Sequence, residues 1–279
     1  MIKLPIFKNR PRLIWKYEAA GKFWQIIPDS DQYLVLEDRN TEQKVVDYAV
    51  LDYRTGRELW RKSFAEKWWI GIETVYDGVI VYHGFATPEL PEHKNIQVVD
   101  LQTGNILWSD QNLKYLFCSS GHLVAERRTN LDIRYVECKM KTGEVIAEHD
   151  ESAVRLLQQN SKISVPKSVV YPESNEFHPL TSTIKIDLLT KKISGFKITE
   201  YIDIDDLIVL TGYYISAERD NRSIMNQDII IINTEKNKII FRDNITRSAS
   251  YPMLGVFLNS GKTILYLKER KILNALQIK

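Results

Sequence analysis

Short apolar runs separated by tight-turn signals mark the chain, and one arrangement of them recurs. Leu51–Trp60 reads LDYRTGRELW and Val99–Trp108 reads VDLQTGNILW. Weaker echoes stand at Glu137–Ile146 (ECKMKTGEVI), Ile186–Phe196 (IDLLTKKISGF) and Ile232–Phe241 (INTEKNKIIF). Each predicts a strand, a tight turn and a second strand. Leu51, Asp52 and Tyr53 finish one strand, Arg54–Gly56 turn the chain, and Leu59 and Trp60 begin the next. Gly56, Gly104 and Gly143 occupy the position where such a turn needs positive φ. Asn237, the next most tolerant residue type, holds it in the fifth copy, and Lys191 fits it poorly in the fourth. Asp52, Asp100, Asp187 and Asn233 each supply a short acceptor for the turn's own N–H groups. The third copy has Lys139 there and must turn without that bond. A large apolar residue follows each turn: Trp60, Trp108, Ile146, Phe196 or Phe241.

The aligned positions 52, 100, 139, 187 and 233 lie 48, 39, 48 and 46 residues apart. A period in the forties with several strands per unit is the signature of β-propeller blades. One blade cannot bury both faces of its sheet, whereas blades stacked side by side do so and leave only short edges. The D-x-x-T-G-x-x-x-W pattern of Asp52–Trp60 and Asp100–Trp108 resembles the repeat of the pyrroloquinoline-quinone-like propellers. The resemblance implies a propeller in which Trp60 and Trp108 dock between neighbouring blades. It does not extend to quinone chemistry: the exported dehydrogenases of that family carry calcium ligands and a disulfide between adjacent cysteines. Here Cys118 and Cys138 are far apart in sequence, and the N-terminus MIKLPIFKNRPRLIW lacks the apolar core of a signal peptide.

Taken in order, residues 1–12 form a basic leading arm with Pro5 and Pro11, and residues 13–279 form the propeller. Leu13–Tyr17 (LIWKY) matches the strand that follows the turn elsewhere, yet no turn precedes it. Lys271–Lys279 (KILNALQIK) resembles the strand before a turn and stops where the turn would begin. The two segments are therefore expected to pair, closing the last blade. With strands A to D counted outwards, A–B turns are predicted at Asp29–Asp31, Asp77–Gly78, Ser120–Gly121, Gln159–Ser161, Asp205–Asp206 and Asn259–Gly261. They imply six blades, at 22–64, 66–111, 113–150, 153–199, 201–246, and 249–279 with 13–17. The fourth is irregular because Pro166 interrupts Ile163–Val170, so five or seven blades also fit. Three long B–C insertions are predicted as loops on one face: Gly84–Asn95, Pro172–Thr181 and Ser216–Gln227. Sites concentrate on loops carried by a rigid scaffold, so any site is placed there.

Composition narrows the function. Net charge is +2 and no basic stripe stands out, which argues against nucleic acid. No run approaches the length of a membrane span. Two cysteines on different strands are expected to be reduced, which suggests a cytoplasmic location.

Candidate chemistry is sparse. Gly255–Thr263 (GVFLNSGKT) is one residue too long for a phosphate-binding loop and is followed by a strand pattern rather than a helix. Asp29/Asp31 and Asp203/Asp205/Asp206 fall at predicted turns, which already accounts for them, and Asp150/Glu151 form a third acidic pair. His83 and His93 flank the first insertion with Glu89 and Glu92 between them, and His178 lies on the second. None of these has metal-site spacing, and no metal, cofactor or catalytic residue is assigned. Trp68 and Trp69 lie at the D–A connection of blade 2, and Tyr213 and Tyr214 precede the third insertion, which carries Arg219. Trp, Tyr and Arg dominate interface hot spots, so these residues, with Arg127 and Arg128 and the loop histidines His83, His93 and His178, are candidate partner-binding residues. The resulting expectation is a non-catalytic scaffold that binds a protein or peptide on the loop face. The alternative is a hydrolase or lyase of small molecules that uses His83, His93 and His178.

Overall fold

The computed structural model describes residues 10–29, 32–87, 90–128, 132–161, 195–219 and 222–278. The chain divides into two compact units, Ala19–Ser164 and the pair of segments Met1–Glu18 and Val165–Lys279. The first strand, β1 (Arg12–Glu18), belongs to the second of these units.

The unit Ala19–Ser164 contains three four-stranded antiparallel meanders, each with its strands in sequence order. The first is β2 (Lys22–Asp29), β3 (Tyr33–Asn40), β4 (Val45–Asp52) and β5 (Glu58–Lys62). The second is β6 (Ile70–Tyr76), β7 (Val79–Thr87), β8 (Leu90–Asp100) and β9 (Ile106–Asp110). The third is β10 (Leu113–Ser119), β11 (His122–Arg128), β12 (Ile133–Lys139) and β13 (Val145–His149), followed by the helix α1 (Glu151–Asn160). These sheets stack as blades. Side chains alternate across a strand, so β7 feeds two cores. Ile80 and Tyr82 join Val35, Tyr48 and Val50 of the first sheet, whereas Val79 and Val81 join Leu123, Ala125 and Val136 of the third.

The repeat turn holds neighbouring sheets together. The Trp60 indole N–H donates to the Leu101 carbonyl at 2.8 Å, and its ring lies over Gly104 in the turn of the next repeat. Trp108 repeats the contact one sheet on, donating to the Met140 carbonyl at 2.8 Å with its ring over Gly143. Asp52 and Asp100 accept from the backbone N–H and hydroxyl of Thr55 and Thr103, as the sequence predicts. Gly104 therefore serves twice: its φ is +66°, and a Cβ there would lie 2.7 Å from the Trp60 ring. Gly78 has φ +74° but open space around it. Gly78→Ala is expected to cost about 1–2 kcal/mol, the left-handed backbone term alone. Gly104→Ala is expected to cost about 1–3 kcal/mol more, from overpacking against the indole. Urea unfolding of the two variants side by side checks the difference.

The other unit contains two further sheets. One is β14 (Lys197–Ile204), β15 (Leu207–Arg219), β16 (Arg222–Asn233) and β17 (Lys238–Ala249). The last is β18 (Phe257–Ser260), β19 (Thr263–Lys268), β20 (Ile272–Gln277) and then β1, which pairs antiparallel with β20 from Arg12↔Gln277 to Glu18↔Ile272. The N-terminal strand thus supplies the outer strand of the last sheet, as the two half-repeats imply. Ile229, Ile231 and Ile245 of one sheet pack with Phe257, Ile264 and Leu276 of the other.

Three expectations change. Five sheets, not six, are present among the described residues. Where strand A and the turn Gln159–Ser161 of the fourth blade were expected, the chain forms α1. Asp150 caps it by accepting from Ala153 N–H at 2.8 Å, and Glu151 pairs with Arg155 one turn on. Cap and helix-forming residues outweigh the repeat register here, and Val154 packs onto Phe117 and Val124 of the third sheet. The rest of that expected blade, with its insertion Pro172–Thr181, lies outside the described residues. Finally, the insertions Gly84–Asn95 and Ser216–Gln227 are not loose loops. The β7–β8 and β15–β16 ladders run on through them as hairpins. Gly255–Thr263 is a β18–β19 hairpin, in keeping with its strand pattern.

Candidate functional site

The B–C and D–A ends of the first two sheets gather most of the chemistry in the unit Ala19–Ser164. Glu66 opens the connection from β5 to β6: one carboxylate oxygen accepts from the backbone N–H of both Trp68 and Trp69 at 2.9 Å. Those bonds hold its carboxyl below the usual range. Arg39, at the end of β3, completes the frame. It donates to the carbonyls of Trp68 (3.0 Å) and Ile70 (2.7 Å) and to the Glu37 carboxylate (2.5 Å). The guanidinium also lies 5.6 Å from the centre of the Trp24 ring and 5.2 Å from that of Trp68. Burial pushes the Glu37 carboxyl up, opposed by the charge of Arg39.

Trp68 packs partly against the core, whereas Trp24 is 60% and Trp69 38% exposed. The adjacent pair Trp68–Trp69 thus divides as the sequence implies, one towards the interior and one outwards. Phe85 continues the band, edge-on to Trp69 at 5.9 Å and to the rings of His83 and His93 at 5.0 and 5.3 Å.

His83 and His93, candidates from sequence, meet across the extended β7–β8 hairpin. Their rings stack with centres 3.5 Å apart and planes within 8°. Both turn Nδ1 towards Glu73 of β6. His93 is hydrogen-bonded to its carboxylate at 2.8 Å, and His83 lies at 3.2 Å, out of line for a hydrogen bond. Burial alone would raise the Glu73 carboxyl, but the two imidazoles hold it below the ordinary value. Gly71 makes room for this arrangement: a Cβ there would come within 2.8 Å of the His83 ring. Glycine inside a strand marks such close approach. A second carboxylate is held similarly in the third sheet, where Glu137 takes His122 at 2.7 Å and His149 at 2.8 Å on separate oxygens. Burial would again raise this carboxyl, and the two histidines hold it low.

The remaining candidates lie on other elements. Arg128 is clasped by Glu92 at 3.1 Å and Glu126 at 3.0 Å, and half-buried Arg127 faces Arg134 across the β11–β12 ladder. Tyr213, Tyr214 and Arg219 lie on β15 in the other unit. There Tyr214 lines an open cavity of about 580 Å³ with Asp228, Arg242 and Arg247, and the Arg242 guanidinium is already held by Asp228 at 2.6 Å. His178, Glu89 and Asp31 lie outside the described residues. Trp24, Glu37, Arg39, Glu73 and Phe85 are functional candidates that sequence reasoning missed. Gly71 was the one available signal, a glycine inside an apolar strand.

Residues 27–108 match a family model described as a domain of unknown function, DUF4905. That segment contains every residue of the cluster except Trp24. No curated protein sequence matches the chain. Among solved structures, a DUF4221-family protein from Bacteroides vulgatus is similar at 9% identity and a TM-score of 0.34, over 97% of this chain and 99% of that one. The β-propeller domain of Myceliophthora thermophila Cps50 (Swd1) gives 10% and 0.31, over 91% of this chain and 65% of that one. The β-propeller domain of the Trilobed protease from Pyrococcus furiosus gives 13% and 0.32, over 88% and 62%.

Among the described residues no helix is long and apolar enough to cross a membrane, and Cys118 and Cys138 are free thiols.

Proposed function

We propose that this chain is a non-catalytic β-propeller scaffold of the pyrroloquinoline-quinone-like repeat type, working in the cytoplasm, that binds a protein or peptide through the Trp24–Trp69 face. The observation that supports the reading is the pair of exposed indoles, Trp24 and Trp69, beside a backbone frame in which Arg39 donates to the Trp68 and Ile70 carbonyls and Glu66 accepts from the Trp68 and Trp69 N–H groups. Exposed aromatics held rigidly lose little entropy on binding, which suits them as anchors. Glu37 compensates the charge of Arg39, so the face offers apolar area rather than net charge. The partner it fits is a segment presenting an apolar or aromatic side chain.

Selection of peptides from a random displayed library on the purified chain tests this. Enriched sequences are expected to share an apolar anchor. The double substitution Trp24→Ala/Trp69→Ala should weaken them by about 30-fold, the hot-spot scale of about 2 kcal/mol. Failure to enrich any sequence, or enrichment indifferent to both tryptophans, overturns the reading. A second reading, a hydrolase or lyase of small molecules, draws support from the convergence of His83 and His93 on Glu73. Turnover abolished by His93→Ala but untouched by the tryptophan pair would favour it.

A further inference from the structure

The geometry points to a divalent transition-metal site, of the zinc class, formed by Glu73, His83 and His93. One ligand atom from each residue lies within 4.8 Å of the other two, a spacing from which one ion can be reached by all three. Two imidazoles and a carboxylate form a donor set suited to borderline ions such as Zn²⁺ and Co²⁺. Three protein ligands also leave a fourth position open to water or another ligand.

A second observation concerns how those groups are satisfied. His83 is 6% exposed, its Nε2 has no hydrogen-bond partner, and its Nδ1 faces the Glu73 carboxylate at 3.2 Å without a hydrogen bond. Buried polar groups in folded proteins are nearly always satisfied, and each exception calls for an explanation. A bound cation would satisfy Nδ1 of His83 and at the same time pair with the Glu73 carboxylate that both Nδ1 atoms face.

The parallel stack indicates what must move. An ion about 2.0–2.1 Å from each nitrogen has to lie near both ring planes, so the rings cannot remain parallel. His83 is confined over Gly71, whereas His93 is half-exposed and on tilting would exchange its 2.8 Å bond to Glu73 for the ion. The hairpin extension that carries His93 is thus the adjustable side of the site. The inference rests on these three residues and not on the aromatic face, so either reading can fail without the other.

The test uses the full chain without a histidine tag, titrated at neutral pH with Co²⁺ and Zn²⁺ and followed by cobalt absorption and calorimetry. One equivalent of cobalt is expected, with the absorption of a four- or five-coordinate ion, displaced by Zn²⁺ and accompanied by proton release. His93→Ala should abolish that absorption and leave the metal-free melting temperature within a few degrees of wild type, because His93 is at the surface. Glu73→Gln should also abolish it, and His122→Ala should leave it intact. No saturable binding to the wild type, or stoichiometric binding that persists in His93→Ala, overturns the site.

Discussion

Trp60→Ala is expected to lower stability by about 3–5 kcal/mol, the range for truncating a large buried aromatic. The side chain is 8% exposed and belongs to the core shared by the first two sheets. Its N–H also satisfies the Leu101 carbonyl in the turn of the second sheet. Alanine would leave a cavity over Gly104 and strand a carbonyl, so the loss combines packing with an unmade hydrogen bond of about 1 kcal/mol. Trp24→Ala provides the contrast. That ring is mostly exposed, and the Arg39 guanidinium 5.6 Å from its centre is a contact worth about 0.5–1 kcal/mol at a surface site. Equilibrium urea unfolding of both variants measures the gap. Equal losses would show that the repeat tryptophan does not join the sheets.

Deleting residues 1–18 is expected to cost more than about 4 kcal/mol. Trp15, 8% exposed, accounts for much of it on the same large-aromatic scale. The ladder from Arg12↔Gln277 to Glu18↔Ile272 is lost with it. β20 would become an open edge beside the buried Leu273 and Ala275, and such edges promote self-association. A synthetic peptide of residues 10–18, added in excess, should restore part of the stability by strand addition. A truncated chain that unfolds at the wild-type urea midpoint, with no response to the peptide, would show that β1 is dispensable.

Much of the fold could be read from local chemistry. Gly56, Gly104 and Asn237 adopt the positive φ their turns require. Trp60 and Trp108 dock as the repeat resemblance implies. Leu13–Tyr17 finds its partner because two half-repeats at opposite ends of the chain complement each other. Repeat register alone places strand A and the turn Gln159–Ser161 of a fourth blade where α1 forms. Asp150 and Glu151 were weighed as an acidic pair, whereas ahead of AVRLLQQ they form a helix cap and a first-turn ion pair. The insertions Gly84–Asn95 and Ser216–Gln227 look like loops in the sequence for a related reason: a ladder can extend past the sheet wherever two flanking segments keep pairing, and composition gives little sign of it.

The sequence by itself determined the unit of construction. Turn chemistry and a two-residue side-chain period are local properties, encoded within about ten residues, so the strands, their hairpins and the tryptophans between them follow from it. The same local reading marked Trp68, Trp69, His83 and His93 as residues to watch. Only the tertiary structure decided what they meet. Glu73 reaches His83 and His93 through the pairing of three strands, and Arg39 reaches Trp24 across the β2–β3 ladder and the Trp68 and Ile70 carbonyls through the approach of the next sheet. Those contacts depend on register and on side chains far apart in the chain, and a shift of one residue in a strand would send each to the opposite face.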